Sequence, residues 1–319
     1  MLNMSYEEKI IHTRIRIKEF YNYYDGDVAI NYSGGIDSTV LLDLVRNIFP
    51  EVKAIFVDTG LEFPSLKEQV NKTENVEIYR PKMNFRQVLK KYGYPIISKE
   101  VARFLSDLRR KNKNNINTRR LRLTGITQKG EYQRNMQLPQ KWLDKFIRIH
   151  DLENLDYEYI APFKVSHKCC KVMKEKPFNK IDNNVYIGIR AEEGYRRYRN
   201  YVQHGCNTYG EKPKSRPLSI WNKQDILKYL VQHNLDYPEV YGEIISTGNK
   251  YYLTGEQRTG CVFCGFGIHL ENEPNRIQRL EKINPKLYNY VLNDLGFKEV
   301  YEFMGIPYKN NKMTIDDFV

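Results

Sequence analysis

The run from Asp27 to Thr39 leaves this chain few folds to choose from. Asp27-Val28-Ala29-Ile30-Asn31 reads as a short buried strand and runs at once into Ser33-Gly34-Gly35-Ile36-Asp37-Ser38-Thr39. Leu41, Leu44, Val45 and Ile48 then recur at helical spacing until Pro50 closes the segment. A strand that turns through paired glycines straight into a helix gathers unhindered backbone N–H groups, two hydroxyls and the positive end of a helix dipole at one point. Side chains at Gly34 and Gly35 would block close backbone approach. A phosphate or pyrophosphate could sit there without any further cation. The same residues equally make a tight turn in which Asp37 and Ser38 only cap the helix. The Gly-Lys-Ser/Thr ending of a Walker A loop is missing.

The downstream pattern extends the motif into a fold. A second strand is expected at Val52–Val57, ending in Asp58-Thr59-Gly60, then a helix around Ser65–Val70 and a third strand at Val76–Tyr79. This alternation predicts an α/β chain with a doubly wound parallel sheet, whose ligands sit outside the carboxyl ends of the strands. An amphipathic helix over residues 5–24 precedes it, carrying Ile10, Ile11, Ile15, Ile17 and Phe20. A strand at Val185–Arg190 returns to the sheet, and a helix at Asp225–Val231 takes Asn222 as its N-cap. Between about residues 99 and 156 lies a basic insertion read as helix, loop and helix. Arg103, Arg109, Arg110, Lys111, Lys113, Arg119, Arg120 and Arg122 crowd it, with Asp107 opposing them. The expected organisation is a main domain over residues 1–245 containing this insertion, then a small cysteine-bearing extension over 246–319 with short helices around 275–305.

Of 319 residues, 51 are basic and 39 acidic, a formal charge of +12, and 41% are hydrophobic. That hydrophobic share excludes a chain disordered throughout. No apolar stretch approaches the roughly 20 residues of a membrane span, and the N-terminus lacks the apolar core of a signal peptide. The expectation is a soluble, cytoplasmic protein with no membrane partner. The positive balance points toward a polyanionic partner or substrate.

Five cysteines are too few for a disulfide scaffold. Cys169 and Cys170 are adjacent, Cys261 and Cys264 form a Cys-x-x-Cys, and Cys206 stands alone. A Cys-x-x-Cys can grip two corners of one metal site and a distant pair can complete it, with zinc or an iron–sulfur cluster as occupant. Vicinal cysteines suit tetrahedral zinc poorly, because adjacent side chains diverge. The alternative is four small buried hydrophobes. Cys206, in His204-Gly205-Cys206-Asn207, is either a reactive sulfur carrier or a passive thiol. His167 and His269, each flanking a cysteine pair, read as supporting or surface residues.

Four motifs in order carry a resemblance. Ser33-Gly34-Gly35-Ile36-Asp37-Ser38 resembles the pyrophosphate loop of the N-type ATP pyrophosphatases, the adenine nucleotide alpha hydrolase superfamily. Val57-Asp58-Thr59-Gly60-Leu61-Glu62-Phe63-Pro64, Gly188-Ile189-Arg190-Ala191-Glu192-Glu193 and Pro217-Leu218-Ser219-Ile220-Trp221 are similar to the phosphoadenosine phosphosulfate (PAPS) reductase-like branch. Together they span roughly residues 27–235. The pattern departs from the branch at Gly194, where serine is usual. The resemblance implies a Rossmann-like fold binding ATP or an adenylyl sulfate, with Mg²⁺ accompanying ATP. Ser33, Gly34, Gly35, Asp37 and Ser38 would surround the pyrophosphate. Asp58, Thr59 and Gly60 would contact the nucleotide, Asp58 either as a ligand of Mg²⁺ or nucleotide or as a turn residue at a strand end. Lys99, Lys174 or Arg190 would stabilise charge building on the α-phosphate. The cysteine layout is similar to the set that holds a [4Fe–4S] cluster in adenylyl-sulfate reductases, with Cys169, Cys170, Cys261 and Cys264 as ligands and Lys174 between cluster and nucleotide.

Sulfonucleotide reductases of this branch attack with a cysteine in a C-terminal Glu-Cys-Gly-Leu-His type motif, and no cysteine follows Cys264 here. The loop also keeps the full form of enzymes that cleave ATP between its α- and β-phosphates. Both features favour an ATP pyrophosphatase that adenylates its substrate, followed by iron–sulfur-dependent sulfur transfer to nucleic acid, by DNA phosphorothioation or tRNA thiolation. A sulfur donor such as a cysteine desulfurase would then be a partner. Phosphoadenylyl- or adenylyl-sulfate reduction and a nucleotide-sensing regulator without turnover are the alternatives. The basic stretch 103–122 could track a phosphate backbone or be a solvated helix face. Tyr195, Tyr198 and Tyr201 beside Arg196, Arg197 and Arg199 form an aromatic-basic cluster suited to nucleic acid.

Overall fold

A computed structural model describes residues 4–178 and 184–310. By contact, the described chain divides into two compact units, one running up to Lys82 and resuming over Lys176–Cys261, the other comprising Met83–Glu175 and the chain from Val262 onward.

The first unit opens with α1 (Tyr6–Tyr23), started by a capping box in which Ser5 accepts from the Glu8 N–H and the Glu8 carboxylate accepts from the Ser5 N–H. Its buried face is Lys9, Thr13, Ile17 and Phe20, while Ile11 and Ile15 face solvent. Lys9 is buried because it pairs with Asp225 at 2.7 Å, a charge compensation that sequence periodicity does not register. There follow β1 (Val28–Asn31), α2 (Ile36–Arg46), β2 (Ala54–Val57), α3 (Pro64–Lys72) and β3 (Val76–Tyr79). After the other unit's first segment come β4 (Asn184–Ile187), α4 (Tyr195–His204), β5 (Asn207–Thr208), β6 (Lys214–Ser215) and α5 (Lys223–Gln232), the last capped by Asn222 as expected. A hairpin of β7 (Ile244–Thr247) and β8 (Lys250–Leu253) follows.

The sheet order is β3-β2-β1-β4-β6-β5, parallel except for the β5–β6 pair. Chain order thus reverses at β1, which is flanked by β2 and β4: Ile30 lies opposite Ala54 on one side and Tyr186 on the other. Alternation divides the strands between two faces. Val28, Ile30, Phe56 and Tyr186 join the large core with Phe20, Val40, Leu44, Ile226 and Leu230, whereas Ala29, Ile55 and Val185 face the other way. Trp221, 1% exposed, anchors the Pro217–Trp221 motif by donating to Thr13 Oγ1 at 2.8 Å, so that motif packs rather than reacts.

In the second unit, helices Lys99–Arg109 and Ile116–Thr124 give the expected helix, loop and helix only in the first half of the basic insertion; its second half instead forms a further helix, Gln140–Phe146, and an antiparallel pair of strands, Ile147–Asp151 and Asp156–Tyr159. The unit's grouping differs from a continuous 1–245 body with a separate tail. Ile96–Ile97 pairs in parallel with Gly265–Phe266, and Tyr94 donates to the Leu295 carbonyl at 2.8 Å, so the chain after the Cys-x-x-Cys joins the insertion. No helix of the described residues is long and apolar enough to cross a membrane.

Candidate functional site: a glycine loop at the sheet's reversal point

The loops after β1, β2 and β4 all leave the carboxyl edge of parallel strands, and the first and third flank the reversal point where open α/β sheets bind ligands. The loop after β1 is tightly self-bonded. Ser38 Oγ accepts from the Ser33 N–H at 3.2 Å, lies 3.0 Å from Ser33 Oγ and donates to the Gly35 carbonyl at 2.8 Å. Gly34 sits at φ +75°, and a Cβ there would lie 2.8 Å from the Leu66 carbonyl oxygen of α3. Gly35 is the N-cap of the 11-residue α2 and lacks a side-chain cap, which leaves that helix end to its backbone N–H groups. Tyr241 and Thr259 stand over Gly35, bonded to each other at 2.5 Å, and a Cβ at Gly35 would lie 3.0 Å from the Tyr241 hydroxyl.

Arg190 binds this loop to the one after β4. Its side chain is 7% exposed, and its Nε donates to Asp37 Oδ1 at 2.5 Å. Glu192 pairs with the same guanidinium, and Glu193 lies 3.8 Å from it. Gly188 makes the approach feasible, since a Cβ there would lie 3.0 Å from the Asp37 carbonyl oxygen and 3.2 Å from Ser38 Cα. Glu193 also pairs with Arg197 and, at 3.4 Å, with Arg258. Lys223, at the first turn of α5, gives its backbone N–H to Glu192 at 2.8 Å and its ammonium to Gln257. Burial holds the Lys223 ammonium below the usual lysine range, helped by repulsion from Arg190 and Arg258. Burial, then Arg258, acts in the same direction on Arg197. The set Arg190, Arg197, Lys223 and Arg258 is therefore a cation cluster held together by carboxylates beside the loop. An arriving phosphate would relieve its mutual repulsion.

Sequence reasoning singled out Arg190 and the loop residues but missed Lys223, Arg258, Tyr241 and Thr259. Thr259 and Arg258 adjoin the Cys-x-x-Cys, which was the one available signal; Tyr241 carries none. The departure at Gly194 is structurally neutral, for a Cβ there meets nothing within 4 Å and its φ of 161° is extended backbone.

The loop after β2 closes on itself. Asp58 pairs with Lys67 at 2.7 Å and Arg80 at 3.3 Å, and it accepts from the Gly60 N–H at 3.1 Å. Burial alone would raise its carboxyl, but these partners, Lys67 foremost, hold it below the usual range. Thr59 donates its hydroxyl to Glu62 at 2.6 Å, and Gly60 takes φ +74°. Both Asp58 oxygens are thus engaged by cations, and the turn role is the one its geometry displays.

Lys99 and Lys174 are exposed residues of the second unit, which also holds Cys169, Cys170 and Cys264, while Cys261 closes the first. Burial raises the Cys264 thiol, and neighbouring Cys170 adds to the effect, so these two sulfurs are near each other. His167 and His269 each bury an Nδ1 without a hydrogen-bond partner. Among the described residues, however, no three histidine, cysteine or carboxylate side chains gather in a group able to hold a metal ion. The thiols are chemically suited to an iron–sulfur cluster.

Much of the basic stretch is used internally. Arg122 is buried over the Phe104 ring at 4.0 Å with Nε 3.3 Å from Asp107; Arg110 pairs with Asp107 at 3.0 Å, and Lys111 donates to the Tyr157 carbonyl. Cys206 is 5% exposed, and burial pushes its thiol up to about 11. At pH 8 native protein should leave Cys206 unmodified by iodoacetamide, while denatured protein alkylates all five cysteines. Peptide mapping that finds rapid native alkylation at Cys206 would restore it as a candidate nucleophile.

The model of the phosphoadenosine phosphosulfate reductase domain matches residues 27–122 and 99–264, well over half the chain. The chain belongs to the PAPS reductase family. An adenosine 5'-phosphosulfate reductase of Geobacillus thermodenitrificans is 25% identical over 248 residues, which cover 76% of this chain and 75% of that one. An uncharacterised protein of Methanocaldococcus jannaschii is 24% identical over 281 residues, 85% of this chain and 42% of the relative. A second from the same archaeon shares 22% over 294 residues, or 52% of its length. This PAPS reductase family chain spans about half the length of those two relatives. Among solved structures, the PAPS reductase of Candida auris in a phosphate complex has a TM-score of 0.37 at 15% identity, covering 78% of this chain and 98% of that one. The U34-tRNA thiolase of Methanococcus maripaludis with its [4Fe–4S] cluster has a TM-score of 0.34 at 13% identity, covering 94% and 81%. At such scores neither likeness adds to the family assignment.

Proposed function

We propose that this PAPS reductase family member cleaves ATP between its α- and β-phosphates and transfers the adenylyl group to an acceptor oxygen, preparing that position for replacement by sulfur. The observation that carries the reading is the complete loop Ser33–Ser38 opening α2 and tied by Asp37 to the buried Arg190. MgATP is the substrate. Its β- and γ-phosphates would lie on the backbone N–H groups that begin α2, beside the Ser33 and Ser38 hydroxyls. Arg190 and Lys223 would face the charge that develops as the bond breaks. The acceptor oxygen forms a bond to the α-phosphorus, the bond from that phosphorus to the bridging oxygen breaks, and the electron pair departs with pyrophosphate. The acceptor's proton passes to solvent. The terminal sulfur of a persulfide, such as one delivered by a cysteine desulfurase, then bonds to the adenylated centre as AMP leaves, and a second thiol cleaves the resulting S–S bond, freeing the thiolated product while the carrier departs as a disulfide. Nucleic acid is the acceptor this reading favours. Reduction of an adenylyl sulfate is the weaker reading, because Cys206, the cysteine outside the two pairs, is buried.

Ser38→Ala removes the acceptor of the Ser33 N–H and the donor to the Gly35 carbonyl. At about 1–3 kcal/mol for a buried polar group left unpaired, its affinity for pyrophosphate and for ATP should fall roughly tenfold to a hundredfold in calorimetry, while AMP binding changes little. With total RNA or denatured DNA present, ATP should yield AMP and pyrophosphate. Formation of ADP and phosphate, or an equal loss of AMP affinity in the variant, would overturn the assignment.

A further inference from the structure

Helix α4 is attached by one side only. Tyr201 is its buried residue, and Arg197 pairs with Glu193 beside the site. At about 100° per residue, Tyr195, Tyr198 and Val202 fall on one outward stripe, with Arg196, Arg199 and Gln203 on the stripe next to it. Tyr195 is 76% exposed, Tyr198 48% and Val202 62%, and the three polar residues are exposed as well. The helix starts at Gly194, directly after the carboxylates that hold Arg190, and its ten residues run roughly 15 Å away from them. Beyond its end, exposed Tyr209 packs against exposed Tyr23 with ring centroids 4.4 Å apart.

We propose that the outward face of α4, continued by Tyr209 and Tyr23, is a docking track for single-stranded RNA that leads an acceptor nucleotide to the phosphate loop. The inference rests on the adenylating reading above and names its substrate class. An aromatic stripe beside a cationic stripe matches a polymer with a base face and a phosphate edge. Bare tyrosines need bases that are already unstacked, which RNA loops present and duplex DNA does not. The length of the track suits two or three nucleotides. The alternative site for a polyanion, the basic stretch 103–122, spends Arg110, Lys111 and Arg122 on its own fold.

The test is fluorescence anisotropy of the full chain with a labelled single-stranded RNA oligonucleotide, a duplex of the same sequence and the DNA equivalents, with ATP affinity measured in parallel. Tyr195→Ala/Tyr198→Ala should weaken single-stranded RNA binding roughly tenfold or more and leave the salt dependence unchanged. Arg196→Gln/Arg199→Gln should lower the slope of log affinity against log salt by about one to one and a half. Both doubles should retain wild-type ATP affinity and thermal melting. Wild-type affinity for RNA in both doubles, or tighter binding of either DNA or of the RNA duplex, would overturn the track. RNA binding that responds as described, in a protein that forms no AMP, would sink the adenylating reading and leave the surface standing.

Discussion

Arg190→Ala is expected to destabilise the protein by about 3–5 kcal/mol, the scale for removing one partner from a buried ion pair. The reason lies in what remains. Asp37, Glu192 and Glu193 all converge on this guanidinium, which is 7% exposed, and its loss leaves three carboxylates facing one another beside the helix start. Arg190→Lys should recover only part of the loss, because an ammonium cannot address Asp37 and two glutamates as a planar fork does. Asp37→Asn combined with Arg190→Gln should melt above Arg190→Ala, since it removes a stranded charge along with its partner. Urea titration reads all three. The catalytic effect is separable: if Arg190 stabilises charge at the α-phosphate, Arg190→Lys, still folded, should lower the rate of AMP formation by about a hundredfold to a thousandfold. A folded Arg190→Lys protein with the wild-type rate would confine Arg190 to a structural role.

The second large effect belongs to Gly34. Its φ of +75° costs an L-residue on the order of 1–2 kcal/mol, and a Cβ would lie 2.8 Å from the Leu66 carbonyl and 3.1 Å from Val70 Cγ2. Neither neighbour can yield, because the first is helix backbone and the second is core. Gly34→Ala should therefore displace the loop from α3. A displacement of about 1 Å in a positioning element costs on the order of a hundredfold in rate. Gly35→Ala is the control, since its φ of −81° suits any residue and its nearest obstacle is the Tyr241 hydroxyl at 3.0 Å. It should lose several-fold at most. Equal loss in both variants would show that crowding by Tyr241, rather than the seat on α3, governs the loop.

These two effects separate what was legible in the sequence from what was not. Strand, glycine turn and helix are local events, each dictated by residues within a few positions of one another, so β1, the loop and α2 appear where their apolar spacing places them. The same holds for Asn222 as a cap and for the extended turn at Asp58-Thr59-Gly60. Periodicity failed on α1, where it offered Ile11 and Ile15 to the core. A lysine took the inward place because Asp225, 216 positions away in sequence, meets it there. Basic residues were likewise legible as a run, but only packing reveals that Arg122 lies over Phe104 while Arg196 and Arg199 face solvent.

The sequence by itself determined the order of strands and helices, the glycine turn and the family, because each is written in short-range spacing. Tertiary structure alone decided which charges answer that turn. Arg190 meets Asp37 of that turn across 153 positions of chain, and Lys223 and Arg258 gather on Glu192 and Glu193 beside it from two further segments. It also decided that Cys206 is buried. Charge compensation and burial depend on distance in space, which residue spacing along the chain does not encode.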